Sequence, residues 1–268
     1  MSYASFVLGP LHFYWYGLIM TGSILVCILT CYCQILYNKL PVSPLLDILV
    51  LVIPAGLVGA HFYYIAINWP YYSYHFAEIF YFSQGGLAMH GALVSVILVL
   101  LFYCKYKQLS FGKYADAIAP GLALGQAIGQ WANLVNQEAI GYPTDMSWGI
   151  YIDYALRPVG YERYDFFHPI FMYQSGVDFV VFLIILSAGG LLRNKSNFAP
   201  GGLFFLYLIL QSAGRIFVES IRLDSEILYG VNVAQFGSLI IIILASGAFF
   251  LHQRRFLKKS NPSLNPSS

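Results

Sequence analysis

Arg215, Glu219 and Arg222 stand at i, i+4 and i+7 in the run Gly214-Arg215-Ile216-Phe217-Val218-Glu219-Ser220-Ile221-Arg222. On a helix this spacing puts all three on one face. Two guanidinium groups on one stripe can hold a phosphate, each through two parallel hydrogen bonds. The same stripe also fits a structural Arg–Glu–Arg network, and the residues alone leave both readings open. Asn133, Asn136 and Gln137 also share a helical face and run into Glu138. A polar stripe of this kind either lines a cavity or glues helices together by hydrogen bonds. His90 follows Gly85-Gly86 at the start of an apolar run. Its imidazole can accept a proton near neutral pH, or can simply be hydrogen-bonded at a helix end. Tyr14, Trp15 and Tyr16 read most simply as an interfacial aromatic belt. His61, Asp178 and Gln211 are further polar groups inside apolar runs, and His168, just before Pro169, reads as a helix cap.

These groups are embedded in a chain of 268 residues that is 59% hydrophobic and only 10% charged. Soluble domains carry about 25% charged residues, so the apolar surplus has to face lipid. The net charge of +2 gives no reason to expect a nucleic-acid partner. Cys27, Cys31, Cys33 and Cys104 lie in or beside apolar stretches without CxxC pairs. They read as small apolar residues rather than disulfide or metal ligands. Met1 to Pro10 has no Lys or Arg and lacks the basic start of a cleavable signal.

A spanning helix needs ~20 mostly apolar residues. Seven stretches qualify, at about 12–37, 45–67, 87–104, 114–136, 169–191, 201–221 and 232–252. The expected fold is all-α, a single polytopic transmembrane domain over 1–259. The fourth stretch is rich in small residues, which favours close packing inside the bundle. Lys39, then Lys105, Lys107 and Lys113, then Arg193 and Lys195, then Arg254, Arg255, Lys258 and Lys259 fall on one side of such a bundle. That side is expected to be cytoplasmic, with the N-terminus outside. The connection 137–168 is long and aromatic, and is expected to form a small extracytoplasmic cap between spans four and five. The polar, Pro-containing tail 260–268 is expected to be disordered.

The ordered motifs resemble the prolipoprotein diacylglyceryl transferase family from Leu8 to about Gln235. They are Leu8-Gly9-Pro10 with Tyr14-Trp15-Tyr16-Gly17, and Gly85-Gly86-Leu87-Ala88-Met89-His90-Gly91. Next come Gly125-Gln126-Ala127-Ile128-Gly129-Gln130-Trp131-Ala132-Asn133, Asn136-Gln137-Glu138-Ala139-Ile140-Gly141 and Tyr142-Pro143-Thr144-Asp145. Arg157-Pro158, His168-Pro169, Tyr173 and the Gly214 to Arg222 run complete the set. The resemblance implies transfer of the diacylglyceryl group of phosphatidylglycerol to the lipobox cysteine thiol of a preprolipoprotein signal peptide. It implies a bacterial cytoplasmic membrane location in the lipid bilayer, and no metal or organic cofactor. It makes His90 the candidate base and Arg215 the candidate stabiliser of the departing phosphate, and places Tyr16, Gln130, Asn133, Glu138, Gly141, Glu219 and Arg222 in the substrate pocket.

The chain departs from the family pattern at several of these positions. Gln130 stands where the family usually has Arg, Ala132 where it has Gly, and His61 where it has Arg. Gln174 stands in place of Glu, and Gln211 in place of Tyr. A glutamine can hydrogen-bond to phosphate but carries no charge. Asp178, one turn beyond Gln174, is a candidate replacement carboxylate. The substitutions leave an alternative open, a relative that binds phospholipid or lipoprotein precursor with altered or no catalysis.

Overall fold

The computed structural model describes residues 5–8, 11–80, 89–192, 195, 197–225, 227–228 and 230–260. Seven long helices occupy the seven apolar stretches. They are α1 (Trp15–Tyr37), α2 (Ser43–Ile67), α4 (Met89–Tyr106), α5 (Phe111–Gly129), α7 (Ile170–Leu192), α8 (Gly202–Glu219) and α9 (Val233–Ser260). Two short helices, α3 (Trp69–Tyr72) and α6 (Ala132–Asn136), complete the α-helices among the described residues, beside 3-10 turns at Phe76–Phe80 and Tyr154–Leu156. Five of the long helices, α1, α2, α7, α8 and α9, are long and apolar enough to cross a membrane. The outer faces of these helices are hydrophobic, with Leu25 and Leu29 on α1, Val50 on α2 and Leu244 on α9 all exposed. Such surfaces match a hydrocarbon solvent.

The fold is mostly helical rather than all-α. Strands β1 (Ser5–Leu8) and β2 (Leu11–Tyr14) form an antiparallel hairpin just before α1. The first helix therefore begins at Trp15, three residues later than the hydropathy suggests. Strands β3 (Ile140–Pro143), β4 (Ile150–Tyr151) and β5 (Phe166–Pro169) form a sheet in the order β3-β5-β4. Strands β6 (Ile227–Leu228) and β7 (Val231–Asn232) pair just before α9. Hydropathy windows miss such strands because two to four alternating residues give no long apolar run.

By contacts the chain divides into one unit of Met1–Gln34 with Gly112–Ser268 and another of Ile35–Phe111. In the first, α5, α7 and α8 share a core of Ala119, Ala123, Val181, Ile185 and Tyr207. The small residues of α5 are nearly all buried, as their composition leads one to expect. A side chain at Gly125 would reach 2.8 Å from the Cys27 Cβ of α1, so the glycine is what lets the two helices touch. The Asp116 carboxylate of α5 accepts from the backbone N–H of Gly201 at 2.7 Å and Phe204 at 2.9 Å. It thereby satisfies and charge-complements the N-terminus of α8.

In the second unit α2 packs along α4. Gly59 and Gly91 face each other at the crossing, where a Cβ on Gly91 would overlap the Gly59 carbonyl and the Tyr63 side chain. Tyr103 donates to Asp47 Oδ2 at 2.5 Å, beside a core of Ile48, Tyr103 and Cys104. His61 of α2 is buried, and its Nε2 lies 2.7 Å from the Ile79 carbonyl.

The predicted fourth span, 114–136, is interrupted. Helix α5 stops at Gly129, the chain tightens through Gln130 and Trp131, and α6 carries on to Asn136. Both interrupting side chains are drawn to α7, Gln130 to Asp178 and Trp131 to Ser175 at 3.0 Å. Helix α9 runs past the predicted end at 252 because Gln253, Arg254, Arg255, Lys258 and Lys259 continue it as polar turns. The residues after Ser260 lie outside the described residues.

The Gly59–Gly91 crossing yields a stability prediction. Overpacking a close helix contact costs about 1–3 kcal/mol, so Gly91→Ala is expected to lower the thermal unfolding midpoint in detergent. An unchanged midpoint would contradict the close approach.

Candidate functional site

The site is built at one end of α5, α7 and α8. Asp178, on α7, has 0% of its surface exposed. A carboxylate without water needs donors, and three glutamine amides supply them. Gln174 Nε2, one turn earlier on α7, donates to Asp178 Oδ1 at 2.6 Å. Gln211 Nε2 of α8 donates to the same oxygen at 2.7 Å. Gln130 Nε2, from the break after α5, donates to Oδ2 at 3.4 Å. The three glutamines singled out in the sequence thus converge on one carboxylate.

The network continues outward from Gln130. Its carbonyl oxygen accepts from Asn133 Nδ2 at 3.2 Å. The Asn133 backbone carbonyl accepts from Glu138 N at 2.9 Å, closing α6. Gln137 ends α6 in the left-handed conformation, φ 52°. Its side-chain oxygen accepts from the Asp153 backbone N–H at 2.7 Å and ties the helix end to the following sheet. Asn136 Nδ2 donates to Glu138 Oε1 at 3.1 Å, and Glu138 itself is exposed.

Gly141 sits in β3, where a side chain would come within 2.7 Å of the His168 Cβ and 2.9 Å of its carbonyl. Only glycine lets β3 lie this close to β5. The other side of Gly141 forms a bridge to Arg222, and Leu223 N donates to Ile140 O at 2.9 Å. The chain leaving α8 thereby becomes an extra edge of the sheet.

This pairing changes the expected arginine stripe. Helix α8 ends at Glu219, so Arg222 lies beyond it and not on a third helical position. Its Nε donates to Asp224 Oδ1 at 2.8 Å and its Nη2 to Asp224 Oδ2 at 3.2 Å. The hydrogen bond with Asp224 raises the Arg222 pKa further above its ordinary value, which keeps the cation firmly charged. Arg222 Nη1 also lies 3.7 Å from Glu219 Oε2. Glu219 is buried and accepts from Ser225 Oγ at 2.8 Å. Arg222 is thus held between two carboxylates.

Arg215 is different. It lies on α8 one turn beyond Gln211, is exposed, and has no carboxylate partner among the described residues. Of the two arginines, Arg215 is the one whose donors remain for a ligand.

Tyr16 is the second residue of α1 and is half-buried. His90 is the second residue of α4, and its side chain lies outside the described residues. His168, expected as a cap, stands in β5 with its Nδ1 2.9 Å from the Tyr173 hydroxyl, which also accepts from Trp148 Nε1 at 2.8 Å. Sequence reasoning passed over Asp224 and Ser225. The signal for Asp224 was its place two residues after an arginine. Among the described residues, no three His, Cys, Asp or Glu side chains gather at metal-ligand distance.

The same unit holds a groove of about 470 Å³, lined by Ile19, Leu124, Ile128, Trp131, Ser175 and Phe179. Of its lining residues, Trp131 and Ser175 directly follow Gln130 and Gln174 in the chain, and their side chains are joined by a hydrogen bond of 3.0 Å.

Comparison with known proteins gives the family. The family model for prolipoprotein diacylglyceryl transferase matches residues 3–251. A Synechocystis protein named phosphatidylglycerol–prolipoprotein diacylglyceryl transferase is 36% identical over 244 residues, covering 90% of this chain and 86% of its own. A Clostridioides difficile protein of the same name is 35% identical over 261 residues, covering 97% of each. One from Parasynechococcus marenigrum is 36% identical over 262 residues, covering 93% of this chain and 94% of its own. The chain belongs to the prolipoprotein diacylglyceryl transferase family.

Proposed function

We propose that the chain transfers the diacylglyceryl group of phosphatidylglycerol to the lipobox cysteine thiol of preprolipoproteins. The observation that carries this reading is Arg215, an exposed guanidinium without an ion pair among the described residues, one helical turn beyond Gln211 of the polar cluster, in a unit that also holds an apolar groove. A phospholipid has the matching parts, a phosphate for the cation and an acyl chain for the groove. The names and coverage of the relatives support the same reaction.

In the reaction, the cysteine thiol gives up its proton and the thiolate attacks the glyceryl carbon that bears the phosphate. A carbon–sulfur bond forms, the carbon–oxygen bond to phosphate breaks, and glycerol phosphate leaves with the electron pair. His90 is the residue we assign to accept the thiol proton. Arg215 meets the charge that builds on the departing phosphate, and no described carboxylate pairs with it that would have to be displaced first. Arg222, clamped by Asp224 and Glu219, holds the β3 edge against the end of α8, with Glu219 as its inner support. Tyr16, Gln130, Asn133, Glu138 and Gly141 shape the head-group pocket. The acceptor is the signal peptide of a preprolipoprotein.

We further infer that all seven long helices cross the bacterial cytoplasmic membrane, with the N-terminus outside and the C-terminus cytoplasmic. Segment 137–168 then forms an extracytoplasmic cap, and the whole chain works as one transferase domain. Arg157 supports the folded state of the cap segment, donating to the carbonyls of Ile152 at 3.0 Å and Glu162 at 2.7 Å and to Asp165 at 2.6 Å. Gln130 in place of the family's arginine favours a second reading, in which the chain binds phospholipid or lipoprotein precursor and catalyses weakly or not at all.

Two experiments test these readings. In cells depleted of their own transferase, the chain is expected to restore growth and lipoprotein modification. His90→Ala and Arg215→Ala are each expected to abolish rescue, because removing one such charge-stabilising contact costs on the order of 10²–10³ in rate. Expression without rescue would support the second reading, the more so if Gln130→Arg restored growth. Topology reporters fused after Lys39 and Lys195 are expected to report the cytoplasm, and one fused within 145–163 the outside. The reverse pattern would overturn the orientation.

A further inference from the structure

Three features of the Asp178 cluster bear on how the head group is read. First, an ionised carboxylate only accepts hydrogen bonds. Each glutamine around it must therefore turn its amine inward, and the observed contacts are Nε2 of Gln130, Gln174 and Gln211. Second, this orientation is imposed against a local cost. The Gln211 carbonyl oxygen is buried with no hydrogen-bond partner, an arrangement that usually disfavours a conformer. Third, among the described residues it is the Gln130 arm that is hydrogen-bonded onward, out of the cluster. With its amine toward Asp178, its carbonyl faces Asn133, whose amine then points back to Gln130. The Asn133 side-chain oxygen, Oδ1, is left without a partner among the described residues.

We infer that Asp178 is a positioning residue that sets the hydrogen-bond polarity of Gln130 and Asn133, so that Asn133 offers a carbonyl acceptor to a hydroxyl of the lipid head group. The inference rests on the reading of the chain as a phospholipid-dependent transferase. It assigns selection of a hydroxylated anionic head group to a relay running Asp178, Gln130, Asn133. Arg215 supplies the phosphate contact that any anionic phospholipid would use. A carboxamide at position 178 would present an amine as well as a carbonyl. Gln130 would then turn its carbonyl inward and its amine outward. Asn133 would turn in response and offer a donor instead of an acceptor.

The test compares two anionic phospholipids of equal charge in purified full-length protein. Phosphatidylglycerol has head-group hydroxyls and phosphatidylethanol has none. Transfer to a fluorescent lipobox peptide is followed for each. The unaltered chain is expected to favour phosphatidylglycerol by at least about tenfold in kcat/KM, the scale of one well-made hydrogen bond. Asp178→Asn is expected to bring that ratio to within about twofold of unity, with the thermal midpoint retained. Gln174→Glu lies within hydrogen-bonding distance of position 178 and returns a carboxylate to the cluster. The double variant Gln174→Glu with Asp178→Asn is expected to recover most of the preference, and it serves as the test if the single variant does not fold. A preference unchanged within about twofold in Asp178→Asn, or absent from a folded double variant, would overturn the relay. No transfer from either lipid by the unaltered chain would instead defeat the transferase reading itself.

Discussion

A carboxylate cut off from water has to be satisfied by whatever surrounds it, and inside a bundle of apolar helices the choice is narrow. Asp178 meets this constraint with three amide donors taken from the α5–α6 break, from α7 and from α8. The arrangement around it follows. Helix α5 must stop near Gly129 so that Gln130 can turn toward α7. Gln211 must face inward, which leaves Arg215 one turn further along α8 at the outer edge of the cluster. The pairing of three elements on one charge makes the end of the bundle a defined site rather than a frayed one.

The two arginines illustrate how local pairing separates similar residues. Both lie in a short run with one helical spacing, yet one is bound by carboxylates and the other is not. Arg222 is taken by Asp224 because the chain leaves α8 and joins the sheet edge at Gly141. Arg215 stays on the helix and makes no ion pair among the described residues. A cation already matched by the protein stabilises structure, whereas an unmatched one is available to a ligand. Glycine at 141 matters for the same reason, since any side chain there would push apart the strands that fix Arg222.

Much of the helical framework could be read from the sequence, because a run of twenty apolar residues has few other uses. The stretch at 169–191 became Ile170–Leu192, and that at 45–67 became Ser43–Ile67. The stretch at 114–136 was read as continuous, since nothing in hydropathy marks the pull of Asp178 on Gln130 across 48 positions. The strands were invisible for a related reason. Their pairing depends on partners distant in the chain, as between Ile140 and Pro169. At the site, the sequence pointed to Gln130, Asn133, Glu219 and both arginines. It also marked Gln174 and Gln211 as unusual, and Asp178 as their possible companion. It could not give the convergence of all three glutamines on that carboxylate, which only the packing of three elements creates.

The central claim is that Arg215, which no described carboxylate pairs, serves phospholipid-dependent transfer to a cysteine thiol. The most direct measurement uses the purified full-length chain, phosphatidylglycerol labelled in its head group, and a lipobox peptide. The account predicts one labelled glycerol phosphate released for each peptide that gains a thioether-linked diacylglyceryl group, and loss of both signals together in folded Arg215→Ala. Equal product formation by Arg215→Ala, or no product from the folded unaltered chain, would contradict it.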